Sequence, residues 1–439
     1  MPTSAPARPA ATATSRMAAV SEMTRLIRLL FEVEREFVRT APTLIYRVGE
    51  PELKYLLCQH VWESAGHARF LRERGRERTG FGTTESVRDS LRKIFNEAVG
   101  QSSGNALVYV AGYYHVLKPA LLAAYRHYLK VTDPLADWPS KKLVEEFIAD
   151  EERHLREIAP YLQGVDARDW QLHLMQALDD LGGWLGQETR LPLASNYVWV
   201  HAAAPYKHPV TCSRGKYPLC SSVFGFDPKE DPIIRPWLTD PKTDARVIRL
   251  MVYVWLMMEM DAVDYLATVF FETPEAPFDL HYDLARHLWD ESRHSQFGFR
   301  QLPKLGVDLM TVEHSLDLYN ILIQMPPHER YAMMTMEFEA GSFPTKALVM
   351  DRVRELNDFE ADTLLAFDRN DEQNHVRYGH RWLPEMMALF GEKRPVEEFV
   401  KATQKKFKQL AVTFGGKQPH TLPASQRLTG EKLLKLAGV

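Results

Sequence analysis

The stretch Trp289 to Phe297, WDESRHSQF, places a glutamate and a histidine three residues apart, as Glu291 and His294. On an α-helix, side chains at this spacing lie on one face. The same Glu-x-x-His pair recurs in DEQNH, residues 371–375, again with an aspartate directly before the glutamate. Two such pairs are half of a recurring metal site, a four-helix bundle in which two more helices each contribute one glutamate to a pair of metal ions.

The two missing carboxylates are predicted from helical periodicity. Glu259 lies in the middle of the apolar stripe of a helix, where an ionised side chain needs a cation, a partner or a raised pKa. For the third helix of this bundle, MEFEAGSFP at residues 336–344 offers both Glu337 and Glu339. Glu339 is preferred because it precedes the histidine of DEQNH by 36 residues, close to the 35 residues from Glu259 to the histidine of WDESRHSQF.

The predicted site thus combines four carboxylates and two histidines. Its ligands are Glu259, Glu291, His294, Glu339, Glu372 and His375, with Glu337 as the alternative to Glu339. Such ligands suit iron or manganese, and four acids balance two divalent ions. We therefore expect two metal ions as cofactors, iron in the first place, with manganese or a mixed pair as alternatives. Asp290 and Asp371, which directly precede ligand glutamates, are predicted to hydrogen-bond the outer nitrogen of a histidine on a neighbouring helix.

The first half of the chain repeats part of this pattern. WESAGHARF, residues 62–70, aligns with WDESRHSQF at an offset of 227, since 294 minus 67 is 227, and the same offset carries Glu32 onto Glu259. A further Glu-x-x-His pair lies in DEERH, residues 150–154. The residues retained in this first site are Glu32, Glu63, His67, Glu151 and His154. Ser64 stands in place of Glu291, and Tyr114 or His115 in place of the third-helix glutamate, so we expect a degenerate site.

These patterns predict an all-α protein of two tandem four-helix bundles that arose by internal duplication. The predicted parts are a disordered leader at 1–20, a diverged bundle at 21–163, a connector at 164–244, the metal-bearing bundle at 245–392 and a C-terminal tail at 393–439. The connector is rich in proline and glycine and contains Cys212 and Cys220. Its role stays open, as does metal binding by the first bundle.

Composition excludes several classes of function. At 439 residues, with 45% hydrophobic residues, the chain can bury more than one core. A formal net charge of -4 and dispersed lysines and arginines predict no nucleic-acid partner. No apolar run reaches the length of a membrane span, the nearest being residues 250–260, so no membrane association is expected. Three cysteines and a leader without an apolar segment predict a reducing, cytoplasmic location.

The segment from Arg246 to about Leu389 resembles the ferritin-like superfamily of dimetal carboxylate proteins. Within that superfamily it is similar to an uncharacterised bacterial family known only as a ferritin-like domain of unknown function. The motifs that carry the resemblance are Glu259, DESRH with its following aromatic residue, MEFEAGSFP and DEQNHVRYGHRW. The resemblance implies a non-haem di-iron or mixed iron and manganese centre and chemistry with O2 or peroxide. It implies no substrate, because one fold hosts many functions.

We therefore expect a non-haem dimetal oxidase or oxygenase that activates O2 and acts on a small, partly apolar metabolite. The alternative is a non-catalytic protein that handles iron, similar to a ferroxidase, or a metal-stabilised scaffold. The expected partners are the small-molecule substrate and O2. An electron donor and a second copy of the chain stay open as further partners.

Overall fold

The computed structural model of the chain describes residues 19–78, 87–186, 206–221 and 227–439. The described residues are mostly helical, with one pair of two-residue strands, so the predicted all-α class is confirmed. The predicted disordered leader lies outside the described residues except at its end, because the first helix already begins at Val20.

Four long helices of the first half pack in a ring. The helices and turns of this half are α1 Val20–Thr40, α2 Pro42–Ile45, α3 Pro51–Arg76, α4 Asp89–Ala98, α5 Ala106–Gly112, a π-helical turn Tyr113–Leu117, α6 Lys118–Val131, α7 Trp138–Ile158, a 3-10 turn Ala159–Leu162 and α8 Arg168–Leu181. Helix α1 contacts α3, α3 contacts α7, α7 contacts α6, and α6 returns to α1. The apolar residues of α1 recur at helical spacing, so Leu26, Leu30, Val33 and Phe37 are all buried in the core.

The predicted connector is partly helical. It contains α8, a short strand β1 Leu219–Cys220 and a short helix α9 Arg235–Thr239. Helix α8 packs on α4 and α5 of the first half. Cys212 and Cys220 are both buried, and no disulfide joins them. The connector therefore does not merely link the two halves, because its described parts pack on both of them.

The second half contains a second ring of four long helical segments. Its elements are α10 Ala245–Met258, α11 Met260–Phe271, α12 Phe278–Lys304, a 3-10 turn Leu309–Thr311, β2 His314–Ser315, α13 Asp317–Leu322, α14 Pro327–Met333, a π-helical turn Met334–Phe338, α15 Glu339–Arg354 and α16 Phe359–Leu389. Helices α10 and α11 form one segment that breaks at Glu259. This segment contacts α12, α12 contacts α16, α16 contacts α15, and α15 returns to α10.

The predicted tail also folds. It forms α17 Val396–Phe414 and α18 Gly430–Ala437. Helix α17 packs on α13 and α14, and α18 packs on α10. Phe399 of α17 is fully buried, and Val396, Val400, Phe407 and Leu410 pack against the same core at helical spacing.

The two halves share a hydrophobic core, because α3 lies along α12 and α1 contacts both α11 and α12. A buried ion pair also joins them. Lys54 of α3 donates two hydrogen bonds to Asp264 of α11, at 2.6 and 2.9 Å, and both side chains are fully buried. Arg214 from the connector donates to the same carboxylate. Buried charges are rarely retained unless they are paired, and here Lys54 and Arg214 compensate the charge of Asp264 where the two halves meet.

Among the described residues, one helix passes the length and composition test for a membrane span, contrary to the expectation from the sequence. This is the continuous helix Ala106–Val131. Within it, 61% of the apolar window is buried inside the protein. The core helix of a folded domain passes the same test, so this feature alone is weak support for a membrane.

Close packing of α10 and α12 depends on Gly298. A Cβ atom at this position would lie 2.3 Å from the backbone nitrogen of Met257 and 2.3 Å from the backbone oxygen of Tyr253. We expect Gly298→Ala to push the two helices apart and lower the free energy of unfolding by about 3 kcal/mol. Chemical denaturation monitored by circular dichroism measures this loss.

Gly66→Ala on α3 is the matched control, since nothing lies within 4 Å of a Cβ at that position. Alanine is the better helix former, so this control should be as stable as the parent chain or more so. Equal stability of the two variants would contradict the proposed close contact.

Candidate metal centre

Helices α12 and α16 carry polar side chains at the same three positions along one face. These residues are His287, Glu291 and His294 on α12, and Asp368, Glu372 and His375 on α16. Each set follows the spacing i, i+4 and i+7, which keeps all three side chains on one stripe of the helix. All six are buried. Glu259, at the break between α10 and α11, and Glu339, the first residue of α15, complete the cluster from the other two segments.

The eight side chains form two groups of four. The first group is His287, Glu291, Glu339 and His375, and the second is Glu259, His294, Asp368 and Glu372. Within each group, one nitrogen or oxygen atom from every residue lies within 4.8 Å of the others. Each group therefore surrounds a space of the size that one metal ion with nitrogen and oxygen ligands requires.

Glu291 lies between the two groups. Its Oε1 atom is 3.2 Å from Nδ1 of His375 in the first group and 3.8 Å from Nδ1 of His294 in the second. A carboxylate in this position can bind a cation on each side. Glu291 is therefore the candidate bridging ligand of a two-ion site.

Several buried ligand atoms lack a well-oriented hydrogen bond to any described residue, although Glu259 Oε2 lies 3.2 Å from Nδ1 of His294 and Glu291 Oε1 lies 3.2 Å from Nδ1 of His375. These atoms are Glu259 Oε2, Glu291 Oε1, His294 Nδ1, Glu339 Oε2 and Asp368 Oδ2. An unsatisfied buried polar atom costs about 1–3 kcal/mol, and native proteins contain few of them. A cation in each group would satisfy these atoms together, so the residues present fit bound metal ions.

The formal charge of the cluster also fits two divalent ions. Its five carboxylates belong to Glu259, Glu291, Glu339, Asp368 and Glu372. One buried ammonium offsets one of them, because Lys346 Nζ lies 2.7 Å from Asp368 Oδ1 and 2.5 Å from Glu372 Oε1. With neutral histidines, five negative charges and one positive charge leave a net charge of minus four, which two divalent cations neutralise.

The pKa values of the site reflect its crowded charges. Burial, reinforced by the charge of Glu259, raises the pKa of the Glu291 carboxyl to about 8. Burial acts in the same direction on Glu339, but the neighbouring His287 and His375 outweigh it and lower the pKa of that carboxyl to about 2. In the absence of a cation, one carboxyl of the first group thus holds a proton near neutral pH, and a metal ion would replace that proton.

Asp290 and Asp371 hold the outer nitrogens of the two histidines. Asp290 Oδ2 on α12 lies 3.3 Å from His375 Nε2 on α16, and Asp371 Oδ2 on α16 lies 3.4 Å from His294 Nε2 on α12. Arg293 donates to both aspartates. These reciprocal contacts turn Nδ1 of each imidazole toward the ligand groups, as a carboxylate behind a metal-binding histidine does.

The structure brings all six ligands of the preferred sequence-based set together. It does not bring in Glu337, whose carboxylate faces α17 and accepts a hydrogen bond from Gln404. It adds His287, Asp368 and Lys346, which the sequence analysis missed. The first two lie four residues before the glutamate of each Glu-x-x-His pair. Extending the pair by one helical turn in the N-terminal direction would have found them.

The first half contains a smaller cluster of Glu34, His67 and Glu151, whose ligand atoms lie within 4.8 Å of one another. The expectation for Glu32 is corrected here, because its carboxylate accepts from Arg88 Nε at 2.8 Å outside this cluster. Helix α1 is unbroken, whereas the equivalent segment of the second half breaks at Glu259. The offset of 227 therefore does not hold for these carboxylates, because Glu34 precedes His67 by 33 residues whereas Glu259 precedes His294 by 35.

Lys118 occupies the third-helix position of the first half. The two π-helical turns are 221 residues apart, since 334 minus 113 is 221, and Lys118 follows the first turn directly as Glu339 follows the second. Lys118 Nζ donates to both carboxylate oxygens of Glu151, at 2.7 and 2.9 Å. Lys118, and not Tyr114 or His115, therefore aligns with Glu339 in the structure. Tyr114 is buried with its hydroxyl 2.8 Å from His60 Nδ1, and His115 is exposed.

The other residues of the first-half site form ion pairs and hydrogen bonds. His154 Nε2 lies 2.5 Å from Glu63 Oε2, and Glu63 also accepts from Arg153. His67 lies between Glu34, at 3.0 Å, and Asp150, at 3.2 Å. Protein side chains thus supply positive charge to these carboxylates.

A cavity of about 390 Å³ opens onto the second-half cluster. Glu259, Glu291, Glu339 and Glu372 form one side of it. The remaining walls are largely apolar, including Trp255, Met258, Tyr265, Met334 and Phe338. A small molecule in this cavity would therefore contact both the ligand groups and an apolar surface.

The fold and site together define an all-α protein with a buried carboxylate and histidine centre. A family model described as a protein of unknown function, DUF455, matches residues 241–418, which is less than half of the chain. The matched segment contains both ligand groups. No curated protein and no solved structure matches the chain.

The bridging position of Glu291 predicts a strong effect of its neutralisation. Glu291→Gln should reduce the bound metal from about two ions per chain to less than one, because both ligand groups lose a shared charge. The measurement is elemental analysis by mass spectrometry after anaerobic loading with iron(II) and desalting. Glu337→Gln, outside the cluster, should keep the full metal content, and equal loss in both variants would contradict the assignment.

The buried Lys118 and Glu151 pair predicts a stability effect without a metal effect. Both side chains are fully buried, so Lys118→Met should lower the free energy of unfolding by about 3–5 kcal/mol by leaving Glu151 uncompensated. Adding Glu151→Gln should recover most of that loss. Denaturant unfolding measures both changes, and the bound metal of the single variant should stay that of the parent chain, because an ammonium group is not a metal ligand.

Proposed function

We propose that this chain is a tandem ferritin-like protein whose second bundle holds two metal ions, most suitably iron, and uses them to oxidise a small organic substrate with O2. The observation that carries the proposal is the pair of four-residue ligand groups that share Glu291 and face the cavity. The two rings of four helices and the offsets of 227 and 221 residues support a duplicated bundle. Oxygen and imidazole ligands support iron or manganese.

When bound, a pair of iron ions supplies the electrons and open coordination positions that O2 activation requires. The chain's own residues supply the geometry. Glu291 spans the two positions, and Asp290 and Asp371 fix the imidazole rings from behind. Lys346 keeps Asp368 and Glu372 in place. Because these groups are buried, they need little rearrangement when a ligand arrives.

The cavity supports a small and partly apolar substrate. Its volume of about 390 Å³ suits a molecule of metabolite size, and its apolar walls would desolvate a hydrocarbon or aromatic group beside the carboxylates. Arg235, on α9, lies at the solvent-exposed edge of this cavity. A substrate with one polar end and one apolar end fits this arrangement.

One experiment distinguishes the proposed oxidase from the alternative function, which is iron handling without an organic substrate. Iron(II)-loaded protein is mixed with O2 in the presence and absence of a panel of small apolar metabolites. The proposed oxidase consumes O2 in a substrate-dependent manner after the bound pair has reacted. A ferroxidase instead keeps oxidising added iron(II) without any organic molecule and accumulates ferric mineral, which would overturn the proposal.

A cavity-filling variant tests the role of the apolar wall. Ala262 lines the cavity beside the ligand groups and is 7% exposed. We expect Ala262→Phe to reduce substrate-dependent O2 consumption by about tenfold or more, because the added ring occupies the substrate's space, while the metal content stays unchanged. Ala388→Phe, at an exposed position on α16, is the matched control and should behave as the parent chain.

A further inference from the structure

We propose a third metal site in this protein, separate from the two-ion centre, in which Cys220, Glu313 and His420 bind one zinc-like divalent cation. One ligand atom from each residue lies within 4.8 Å of the other two. Ligand atoms around a tetrahedral zinc ion are about 3 to 4 Å apart, so the three side chains need only small adjustments to share one ion.

The three residues come from distant parts of the chain. Cys220 is in β1, Glu313 directly precedes β2, and His420 lies between α17 and α18. The backbone brings them together, because β1 pairs in parallel with β2 and Thr421 N donates to Leu219 O at 2.9 Å. A Cys, Glu and His set therefore converges without any local sequence motif.

The surroundings hold two of the ligands in defined orientations. The backbone nitrogens of Thr421 and Leu422 both donate to Glu313 Oε1, at 2.8 Å each. This leaves Glu313 Oε2 directed at Nδ1 of His420. On the other side of the imidazole, Nε2 lies 3.7 Å from Glu230. A carboxylate behind the outer nitrogen is the usual support of a metal-binding histidine.

The donor set selects the type of cation. A thiolate is a soft ligand and, with imidazole and carboxylate, favours zinc and related ions over calcium or magnesium. When the ion binds, the S–H bond of Cys220 breaks, its proton goes to solvent, and its electron pair stays on sulfur to bind the metal. Three protein ligands leave a fourth position for water.

A metal at this point would tie the C-terminal segment to the wall of the cavity. Ser315, in β2, lines the cavity and is paired with Cys220 across the two strands. An ion bound by Cys220, Glu313 and His420 would fix β1, β2 and the chain after α17 against one another. Its proposed role is structural, so it does not depend on the chemistry of the two-ion centre.

The experiment uses cobalt(II) as the probe in the full chain. A thiolate bound to cobalt(II) produces a charge-transfer band in the near ultraviolet, whereas the carboxylate and histidine groups of the two-ion centre contain no sulfur and cannot produce it. We expect this band in the parent chain and in Glu291→Gln, and its loss in Cys220→Ser. Cys212→Ser, a buried thiol outside the cluster, is the matched control and should keep the band.

His420→Ala provides a second variant with little risk to folding, since this side chain is 36% exposed. It should lower the zinc affinity by more than about tenfold, as measured by competition with a chromophoric chelator. Absence of the band in the parent chain, or its survival in Cys220→Ser, would overturn the third site. If Glu291→Gln loses the two-ion centre but keeps the band, the third site is supported. The two proposals therefore fail independently.

Discussion

Buried negative charge is the constraint on which the second half of this protein depends. Five carboxylates, three histidines and one lysine meet between four helical segments. Unpaired carboxylates in such a place would take up protons or open the bundle, because their desolvation is costly. Positive charge comes from Lys346, from the arginines behind Asp290 and Asp371, and from His294 and His375, whose imidazole pKa the neighbouring carboxylates raise, and the two candidate ligand groups could add cations.

The two halves meet the same constraint with different chemistry. In both halves a π-helical turn directs the next residue into the ring of helices. That residue is Lys118 in the first half and Glu339 in the second. A lysine brings its own positive charge to Glu151, whereas the glutamate adds negative charge and pairs with His287 and His375. The residue at this one position therefore distinguishes the ion-paired core of the first half from the candidate metal centre of the second half. π-helical turns are frequent at functional sites.

The rest of the fold supports the site from outside. Lys54 and Asp264 join the halves directly behind the segment that carries Glu259, and Arg214 of the connector extends this network to Asp261 on the cavity wall. Helix α17 covers the outer face of the π-helical turn through Gln404. The connector and tail are therefore part of the scaffold that shapes the cavity, and not passive links.

Local sequence determined the helices and most of the centre. Glu-x-x-His places two ligands on one face because the helical repeat is fixed by backbone geometry, so Glu291, His294, Glu372 and His375 could be predicted without a structure. Only the tertiary structure decided which residues of each helix point into the ring and which residues meet from distant parts of the chain. The structure places Glu34, and not Glu32, beside His67, because the first-half carboxylate precedes its histidine by two residues fewer than in the second half, and it places Lys118 opposite Glu151. Lys346, together with the Cys220 cluster, came from packing between segments far apart in the chain, which no spacing rule records.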